Sequence, residues 1–213
     1  MLSDMGGIYT SSYQPYTLIE NNLVHDVNTR DYTGGAMYLD DNTAYFTVRN
    51  NILYNSNEDV LNVKSHYNLF ENNIFAFGTR SILYRHKGLE LAEDVLNLGI
   101  KPPVFRNNIF LQNSGQKMFT DVESKSNVEY KINADNNIYW NYRGNVQMNT
   151  SESFVDWRNK TNNDDNSHVV DPGFVNPFDG EFTLKEDAPA KDYGFSPIDI
   201  SDVGPRPSEW EKA

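Results

Sequence analysis

Short apolar runs recur along the chain, and a pair of asparagines interrupts them at spaced intervals. Each pair is followed by leucine once and by isoleucine four times, and another apolar residue stands three positions before the second asparagine. The five copies are Ile19-Glu20-Asn21-Asn22-Leu23, Val48-Arg49-Asn50-Asn51-Ile52, Phe70-Glu71-Asn72-Asn73-Ile74, Phe105-Arg106-Asn107-Asn108-Ile109 and Ala134-Asp135-Asn136-Asn137-Ile138. Successive copies lie 29, 22, 35 and 29 residues apart, a range that is typical of repeat proteins.

The residues around each asparagine pair favour strands over helices. Val, Ile and Phe dominate the runs, and the repeats lack the sustained 3.6-residue period of helical repeats. An asparagine at one fixed place suits a turn, because its side chain tolerates the left-handed region and bonds nearby backbone. Coils stacked at about 4.8 Å would also let the amides bond one another in a ladder. We therefore predict an all-β parallel β-helix, with the apolar residues after each pair stacked as one interior column.

The repeats divide the chain into two regions. Residues 1–142 carry the coils, and residues 143–213 read as a polar loop followed by an irregular, turn-rich segment that packs on the solenoid or caps it. Within the longest step, apolar residues recur at helical spacing over 88–99, which predicts one short helical insertion.

The N-terminus enters the repeat in the middle of a coil. Gly7-Ile8-Tyr9 matches Ala36-Met37-Tyr38 at an offset of 29 residues, so no polar capping element stands before the first coil. We therefore expect one of two partners for this end. One is a set of missing N-terminal coils of a longer chain. The other is a second copy, joined by self-association through the open end.

Composition excludes several classes of function. The net charge of −12 and a pI near 4.7 argue against nucleic acid, and they disfavour a polyanionic substrate unless cations bridge the two. The chain has no cysteine, so it has neither disulfides nor thiolate metal sites. No apolar stretch approaches the roughly 20 residues that span a membrane, and no signal peptide is visible. No membrane partner is expected.

Several stretches resemble the parallel β-helix proteins of bacterial polysaccharide degradation, near glycoside hydrolase family 141. The stretches are Ser3-Asp4-Met5-Gly6-Gly7-Ile8-Tyr9, Tyr32-Thr33-Gly34-Gly35-Ala36-Met37-Tyr38-Leu39-Asp40-Asp41, Asn73-Ile74-Phe75-Ala76-Phe77-Gly78 and the tail from Asp171-Pro172-Gly173-Phe174 to Pro197-Ile198-Asp199. The likeness covers nearly the whole chain, but only the C-terminal half of a typical member. It implies a right-handed, pectin-lyase-like solenoid that acts on a polysaccharide or oligosaccharide. It also implies a secreted or periplasmic protein whose signal peptide was lost with its N-terminal part.

The resemblance also implies site residues. It places the catalytic pair at Asp4 and Asp40, with the adjacent Asp41 as a reserve for Asp40. Arg85 falls where the family tends to carry an arginine, and we take Arg85 and Tyr38 as substrate contacts. The chain departs from the family in the coil after Asp40, where histidines are usual and this sequence has Leu61-Asn62-Val63-Lys64.

Hydrolysis of a glycosidic bond requires two carboxyl groups about 5 Å apart for retention, or about 6.5–9.5 Å apart for inversion. By the 29-residue offset, Asp4 aligns with Thr33 and Asp40 with Ser11, so the aspartates sit seven positions apart along the coil. They can converge only if the chain turns sharply between them, and paired glycines at 6–7 and 34–35 could provide that turn.

Two alternatives to a cofactor-free glycoside hydrolase remain open at this stage. A pectate-lyase-like enzyme would use calcium on Asp164-Asp165 or Asp40-Asp41, with a base from the basic cluster of Arg80, Arg85 and Lys87. A non-catalytic carbohydrate-binding β-helix fragment would use exposed aromatic side chains as platforms for sugar rings. The four histidines are scattered and show no metal-ligand spacing.

Overall fold

The computed structural model describes residues 3–30, 33–86, 100–123 and 130–204, and these residues form three parallel sheets. The first sheet contains β1 (Met5–Thr10), β4 (Gly34–Leu39), β7 (Asp59–Val63), β10 (Ser81–Arg85) and β13 (Lys117–Thr120). The second contains β2 (Leu18–Glu20), β5 (Thr47–Arg49), β8 (Leu69–Glu71), β11 (Val104–Arg106) and β14 (Asn133–Asp135). The third contains β3 (Leu23–Val27), β6 (Ile52–Ser56), β9 (Ile74–Gly78), β12 (Ile109–Gln112), β15 (Ile138–Asn141) and β16 (His168–Val169).

Each coil contributes one strand to each sheet. Strands three apart in the sequence therefore pair in parallel, as β1 does with β4 and β4 with β7. The same rule relates β2 to β5 and β3 to β6. This arrangement confirms the predicted parallel β-helix.

The two asparagines of each pair have different tasks. The first lies in the left-handed region in all five copies, with φ between 53° and 57°. The second forms a ladder along the solenoid: the backbone N–H of Asn22, Asn51, Asn73 and Asn108 each donates to the Oδ1 atom of the next ladder asparagine at 3.0 Å. Asn137 ends the ladder by donating to the Ser167 hydroxyl at 2.8 Å. Both predicted properties of asparagine are confirmed.

The apolar column after each pair stacks as predicted, but it does not face the lumen. Leu23, Ile52, Ile74, Ile109 and Ile138 are in register in the third sheet. The core shared by all three sheets instead contains the residues that follow them, such as Leu53 and Phe75. The column packs against Phe174 and Phe182 of the C-terminal segment. The predicted interior placement was wrong. The column lies on the outer face of the sheet, which is apolar because the C-terminal segment covers it.

The C-terminal region contains more regular structure than its sequence indicates. A helix, α1 (Phe154–Thr161), lies where the sequence predicts a polar loop, and the Ser153 side chain caps its N-terminus. An antiparallel hairpin, β17 (Phe174–Asn176) and β18 (Glu181–Leu184), follows. Two short 3-10 helices span Pro177–Asp179 and Pro189–Lys191. The helix predicted over 88–99 lies outside the described residues.

The α1 helix forms because of one buried residue rather than an amphipathic stripe. Trp157 is fully buried, meets Phe119 at 5.3 Å between ring centroids, and donates from Nε1 to Asp164 at 2.8 Å. Such a short apolar contribution gives little periodicity for a sequence pattern to detect. None of the helices in the described ranges is long and apolar enough to cross a membrane.

Candidate functional site

The residues singled out by sequence lie mostly on the outer face of the first sheet. Met37, Leu61 and Leu83 point into the shared core, and the residues that follow them point outward. The outward column is Tyr9, Tyr38, Asn62, Tyr84 and Thr120, in register across the five strands of the sheet. Residues on alternate positions of adjacent parallel strands thus form one polar and aromatic surface.

A second outward column begins where these strands end. Leu39, Val63 and Arg85 are in register, so the residues after them also stack, one per coil. Those residues are Asp40, Lys64 and His86. The backbone N–H of Lys64 donates to Leu39 at 3.0 Å, and that of His86 donates to Val63 at 3.2 Å, which continues the sheet bonding through this row.

Asp40 is held by two side chains from neighbouring coils. The Lys64 ammonium lies 2.8 Å from Oδ1, and the Tyr9 hydroxyl donates to Oδ2. Burial raises the pKa of Asp40, but the hydrogen bonds from Lys64, Tyr9 and the Asp41 backbone outweigh it, and the net pKa is lowered. Asp40 is therefore ionised at neutral pH. It can serve as a base or a nucleophile, but not as a proton donor.

Asp4 approaches the same surface from the other end of β1. It lies in the left-handed region, with φ of 53°, and its N–H donates to Thr33 at 3.0 Å. Burial is the main cause that raises the pKa of Tyr38, and the nearby carboxylates of Asp40 and Asp4 raise it further. The structure therefore brings Asp4 and Asp40 to bear on one buried hydroxyl, although they lie at opposite ends of the paired strands.

Gly6 lets β1 lie close to Tyr38. A Cβ atom at Gly6 would lie 2.7 Å from the Ile8 carbonyl oxygen and 3.2 Å from Cβ of Tyr38, which is closer than real side chains pack. Tyr38 itself is fully buried, and its hydroxyl has no hydrogen bond of normal geometry among the described residues. The ring of Tyr38 meets Tyr9 edge-on at 5.1 Å and stacks on His86 at 6.1 Å between centroids.

Asp41 lies at the margin of the surface. Its carbonyl oxygen accepts from the Ser12 N–H at 3.0 Å and from the Ser11 hydroxyl at 3.3 Å. Its side chain is half-buried. Burial lowers the pKa of Lys64, but the hydrogen bond to Asp40 and the charges of Asp40, Asp41 and Asp4 outweigh it, so the net pKa is raised.

Three members of this surface were missed by sequence reasoning, namely Tyr9, Lys64 and His86. Asn62 fixes the tautomer of His86: its Nδ2 donates to Gly34 at 2.6 Å, so its Oδ1 faces the His86 Nε2–H at 3.1 Å. Burial, followed by the charge of Lys64, lowers the pKa of His86 to about 3, so the ring is neutral. The available signal was register, since His86 follows Lys64 by one 22-residue coil.

Arg85 lies apart from this surface. It is fully buried, and its guanidinium donates to the backbone carbonyls of Val63 at 2.8 Å and Lys131 at 3.3 Å. A third nitrogen lies 3.3 Å from Nδ1 of His66. We assign Arg85 a structural role, because its hydrogen bonds link β7 and β10 to the segment before β14. Its predicted contact with substrate stays a prediction.

The carboxylates considered for calcium have protein partners. Asp164 accepts from Trp157 at 2.8 Å, from Tyr139 at 3.0 Å and from Ser167 at 2.6 Å, so it fastens the end of the asparagine ladder. Asp165 lies 3.7 Å from a nitrogen of Arg158. Arg80, of the basic cluster, pairs with the fully buried Asp59. The described ranges contain no group of three or more His, Asp or Glu side chains arranged to hold a metal ion. Lys87 lies outside them.

The chain matches no protein-family model, and neither curated proteins nor solved structures give a significant match. The parallel β-helix therefore follows from the strand pairing itself. The activity proposed below rests on the surface around Asp40 and on the sequence motifs that contain Asp4 and Asp40.

Proposed function

We propose that the outer face of the first sheet hydrolyses a glycosidic bond in a plant or microbial polysaccharide. The observation that carries this proposal is the pairing of Asp40 with Lys64 and Tyr9, which keeps one carboxylate ionised, while a second carboxyl group, Asp4, acts on the same Tyr38 hydroxyl as Asp40. The resemblance of the Asp4 and Asp40 segments to glycoside hydrolase family 141 supports the same pair. Such polymers lie outside the cytoplasm, so we propose a secreted or periplasmic protein.

The proposed chemistry divides the work between the two carboxyl groups. In the inverting form, Asp40 takes a proton from water as the water oxygen attacks the anomeric carbon. Asp4 gives its proton to the leaving glycosidic oxygen, so charge and protons balance. In the retaining form, Asp40 attacks the anomeric carbon as the glycosidic bond breaks, and Asp4 protonates the leaving oxygen. Asp4 then takes a proton from the water that releases the sugar from Asp40. Either form uses Asp40 ionised and needs no cofactor, and Lys64 and Tyr9 position the reacting carboxylate.

A screen of polysaccharides tests the proposal. Purified protein is incubated with neutral and acidic plant and microbial polymers, and both reducing ends and ultraviolet-absorbing unsaturated products are measured. Hydrolysis releases reducing ends without unsaturated products. Unsaturated products would show that the enzyme is a lyase and not a hydrolase. If the protein binds a polymer but releases no product from it, the function is carbohydrate binding without catalysis.

The binding function is the second candidate, because two observations count against catalysis. Tyr38 is fully buried and Asp40 is already neutralised by Lys64, an arrangement that also suits a purely structural ion pair. The lyase has less support from the described residues. A catalytic lysine or arginine needs a lowered pKa, whereas the pKa of Lys64 and that of Arg80 are both raised by their carboxylate partners, against the effect of burial.

A further inference from the structure

A row of tyrosines lies on the turn between the first and second sheets. Tyr16, Tyr45 and Tyr67 each stand two residues before a strand, namely β2, β5 and β8, and these strands are paired in register. All three have left-handed backbones, with φ of 67°, 67° and 59°. A bulky residue in this region is an outlier, and such conformations concentrate at functional sites.

The tyrosine row forms one wall of an open groove of about 340 Å³. The rings of Tyr45 and Tyr67 stack with centroids 4.8 Å apart, and Tyr13 meets Tyr45 edge-on at 5.2 Å. Thr47 and Leu69, on the outer face of the second sheet, form the floor. A groove of this volume accommodates a small ligand or a few sugar rings.

The groove is uncharged in a strongly acidic protein. Its eight lining residues are all neutral, although the chain has a net charge of −12. The charged side chains of the next outward column on the second sheet neutralise one another. Arg49 lies 2.7 Å from Glu20, and Arg106 lies 2.7 Å from Glu71. The groove therefore offers aromatic rings and hydroxyl groups but no charged side chain in its lining, which suits a neutral ligand that has both apolar faces and hydroxyls.

The tyrosines are also accessible. The side chain of Tyr16 is 99% exposed and that of Tyr13 is 62% exposed, values at which an aromatic ring in water gains by covering its face. The row follows the surface around Asp40 along the chain, since Tyr45 is five residues after Asp40 and Tyr67 is three residues after Lys64. A chain lying in the groove can thus continue toward Asp40.

We propose that this tyrosine groove binds an uncharged polysaccharide as a subsite next to Asp40. The pyranose rings cover the tyrosine faces with their C–H surfaces, and the tyrosine and threonine hydroxyls bond the sugar hydroxyls. The inference rests on the proposed function for its direction toward Asp40. It adds the class of substrate, which is neutral, and a binding surface that the resemblance does not supply.

Affinity electrophoresis tests the groove independently of hydrolysis. Asp40→Asn protein is run in native gels that contain mixed-linkage β-glucan, arabinoxylan, galactomannan or polygalacturonate. We expect at least one neutral polymer to retard it, and Tyr16→Asn with Tyr45→Asn to weaken that binding about tenfold or more. Asparagine tolerates the left-handed region, so both substitutions preserve the backbone. Tyr193→Asn, a partly exposed tyrosine of the C-terminal segment, is the matched control and retains binding.

Four results would contradict the proposal that the groove binds a neutral polysaccharide. They are no retardation by any neutral polymer, equal retardation of the double variant, retardation by polygalacturonate alone, and a change of sedimentation in the double variant that assigns the row to contact with a second copy. Failure of the proposed hydrolysis is a different result. In that case the wild-type protein releases no reducing ends while neutral polymers still retard it in a manner that depends on Tyr16 and Tyr45.

Discussion

The ammonium group of Lys64 lies 2.8 Å from Oδ1 of Asp40, and the two residues occupy successive coils of the same outward column. Burial raises the pKa of Asp40, but this ion pair lowers it and so keeps the carboxylate ionised. Hydrolysis of a glycosidic bond needs one carboxyl group as the acid and another, ionised, as the base or nucleophile. Lys64 keeps Asp40 ionised, so the proposed reaction uses Asp40 as the base or nucleophile and assigns the acid role to Asp4.

Removing Lys64 should raise the pKa of Asp40. In Lys64→Met protein the burial of the carboxylate remains, while the hydrogen bond and the positive charge that offset it are lost. Carboxyl carbon NMR titration measures this, with Asp40→Asn used to assign the signal. Lys160→Met removes an exposed lysine that pairs with Glu152 and leaves the Asp40 titration unchanged. An Asp40 signal that titrates alike in wild-type and Lys64→Met protein would refute the pairing.

The same shift fixes how Asp40 contributes to stability with pH. The pKa of Asp40 in the folded protein lies below its value in the unfolded chain, near 3.9. Its ionised form therefore stabilises the fold above that pH, and the contribution is lost as the pH falls through the folded pKa. The stability difference between wild-type and Asp40→Asn protein is accordingly expected to shrink below about pH 4.

Two partly buried histidines should make the protein less stable in mild acid. Burial, with nearby positive charge, lowers the pKa to about 3 for His86 and to about 4 for His66. In the unfolded chain both titrate near 6.5, so below that pH the unfolded state binds protons that the folded state does not. Each histidine then lowers the free energy of unfolding by up to about 1.4 kcal/mol per pH unit.

Urea denaturation at pH 7, 6 and 5 checks this dependence. His86→Gln removes one titrating group, and its glutamine amide can still donate to Asn62. We expect the slope of stability against pH between 6 and 5 to fall in this variant, and to fall further when His66→Gln is added. A slope that is unchanged in both variants would show that these rings are not held neutral.

The centre of the asparagine ladder should tolerate truncation poorly. Asn73 donates from Nδ2 to Val48 at 2.9 Å and to Asn108 at 2.9 Å, and its Oδ1 accepts from Asn51. Asn73→Ala leaves these buried groups unpaired, at roughly 1–3 kcal/mol each. Asn22→Ala is the control, because Asn22 lies at the partly exposed end of the ladder. A similar loss of urea midpoint in both variants would argue against the ladder as a source of stability.

The C-terminal hairpin should stabilise the solenoid through Phe182. Its ring packs against Tyr54 at 5.1 Å and Phe174 at 5.4 Å, over the outer face of the third sheet. Phe182→Ala should cost about 3–5 kcal/mol of unfolding free energy and increase the binding of a hydrophobic dye. Phe178, which is 53% exposed in the same hairpin, gives the comparison variant Phe178→Ala with a smaller loss. Equal losses would mean that the hairpin does not cover the sheet through Phe182.

The recurring asparagine pairs made the coils predictable, because the left-handed turn depends on the residue itself and the ladder needs the same residue in each coil. The facing of the column at Ile52 and Ile74 was not predictable from those runs. The adjacent Leu53 and Phe75 are also apolar, and only the C-terminal segment decides which row is covered from outside. Alternation gives the face of a strand only when one face is polar.

The candidate site was predictable only in part. Asp4 and Asp40 came from motif resemblance, and the structure places both of them near Tyr38. Lys64 and His86 were not found, because their stacking on Asp40 depends on coils of different length coming into register. Arg85 matched a family position, yet its side chain turns inward to backbone carbonyls. Sequence gives the residue type at a position but not the direction of a long side chain.

Asp40→Asn compared with Asp41→Asn tests the account most directly. Turnover is followed as reducing ends released from a polysaccharide that wild-type protein cleaves, and circular dichroism confirms the fold of each variant. We expect Asp40→Asn to abolish turnover, because the amide keeps the size of the carboxylate but cannot accept the proton or attack the sugar. We expect Asp41→Asn to retain most of it, since Asp41 lies at the margin of the surface. Full activity in the Asp40→Asn protein, or equal loss in both variants, would contradict the proposed mechanism.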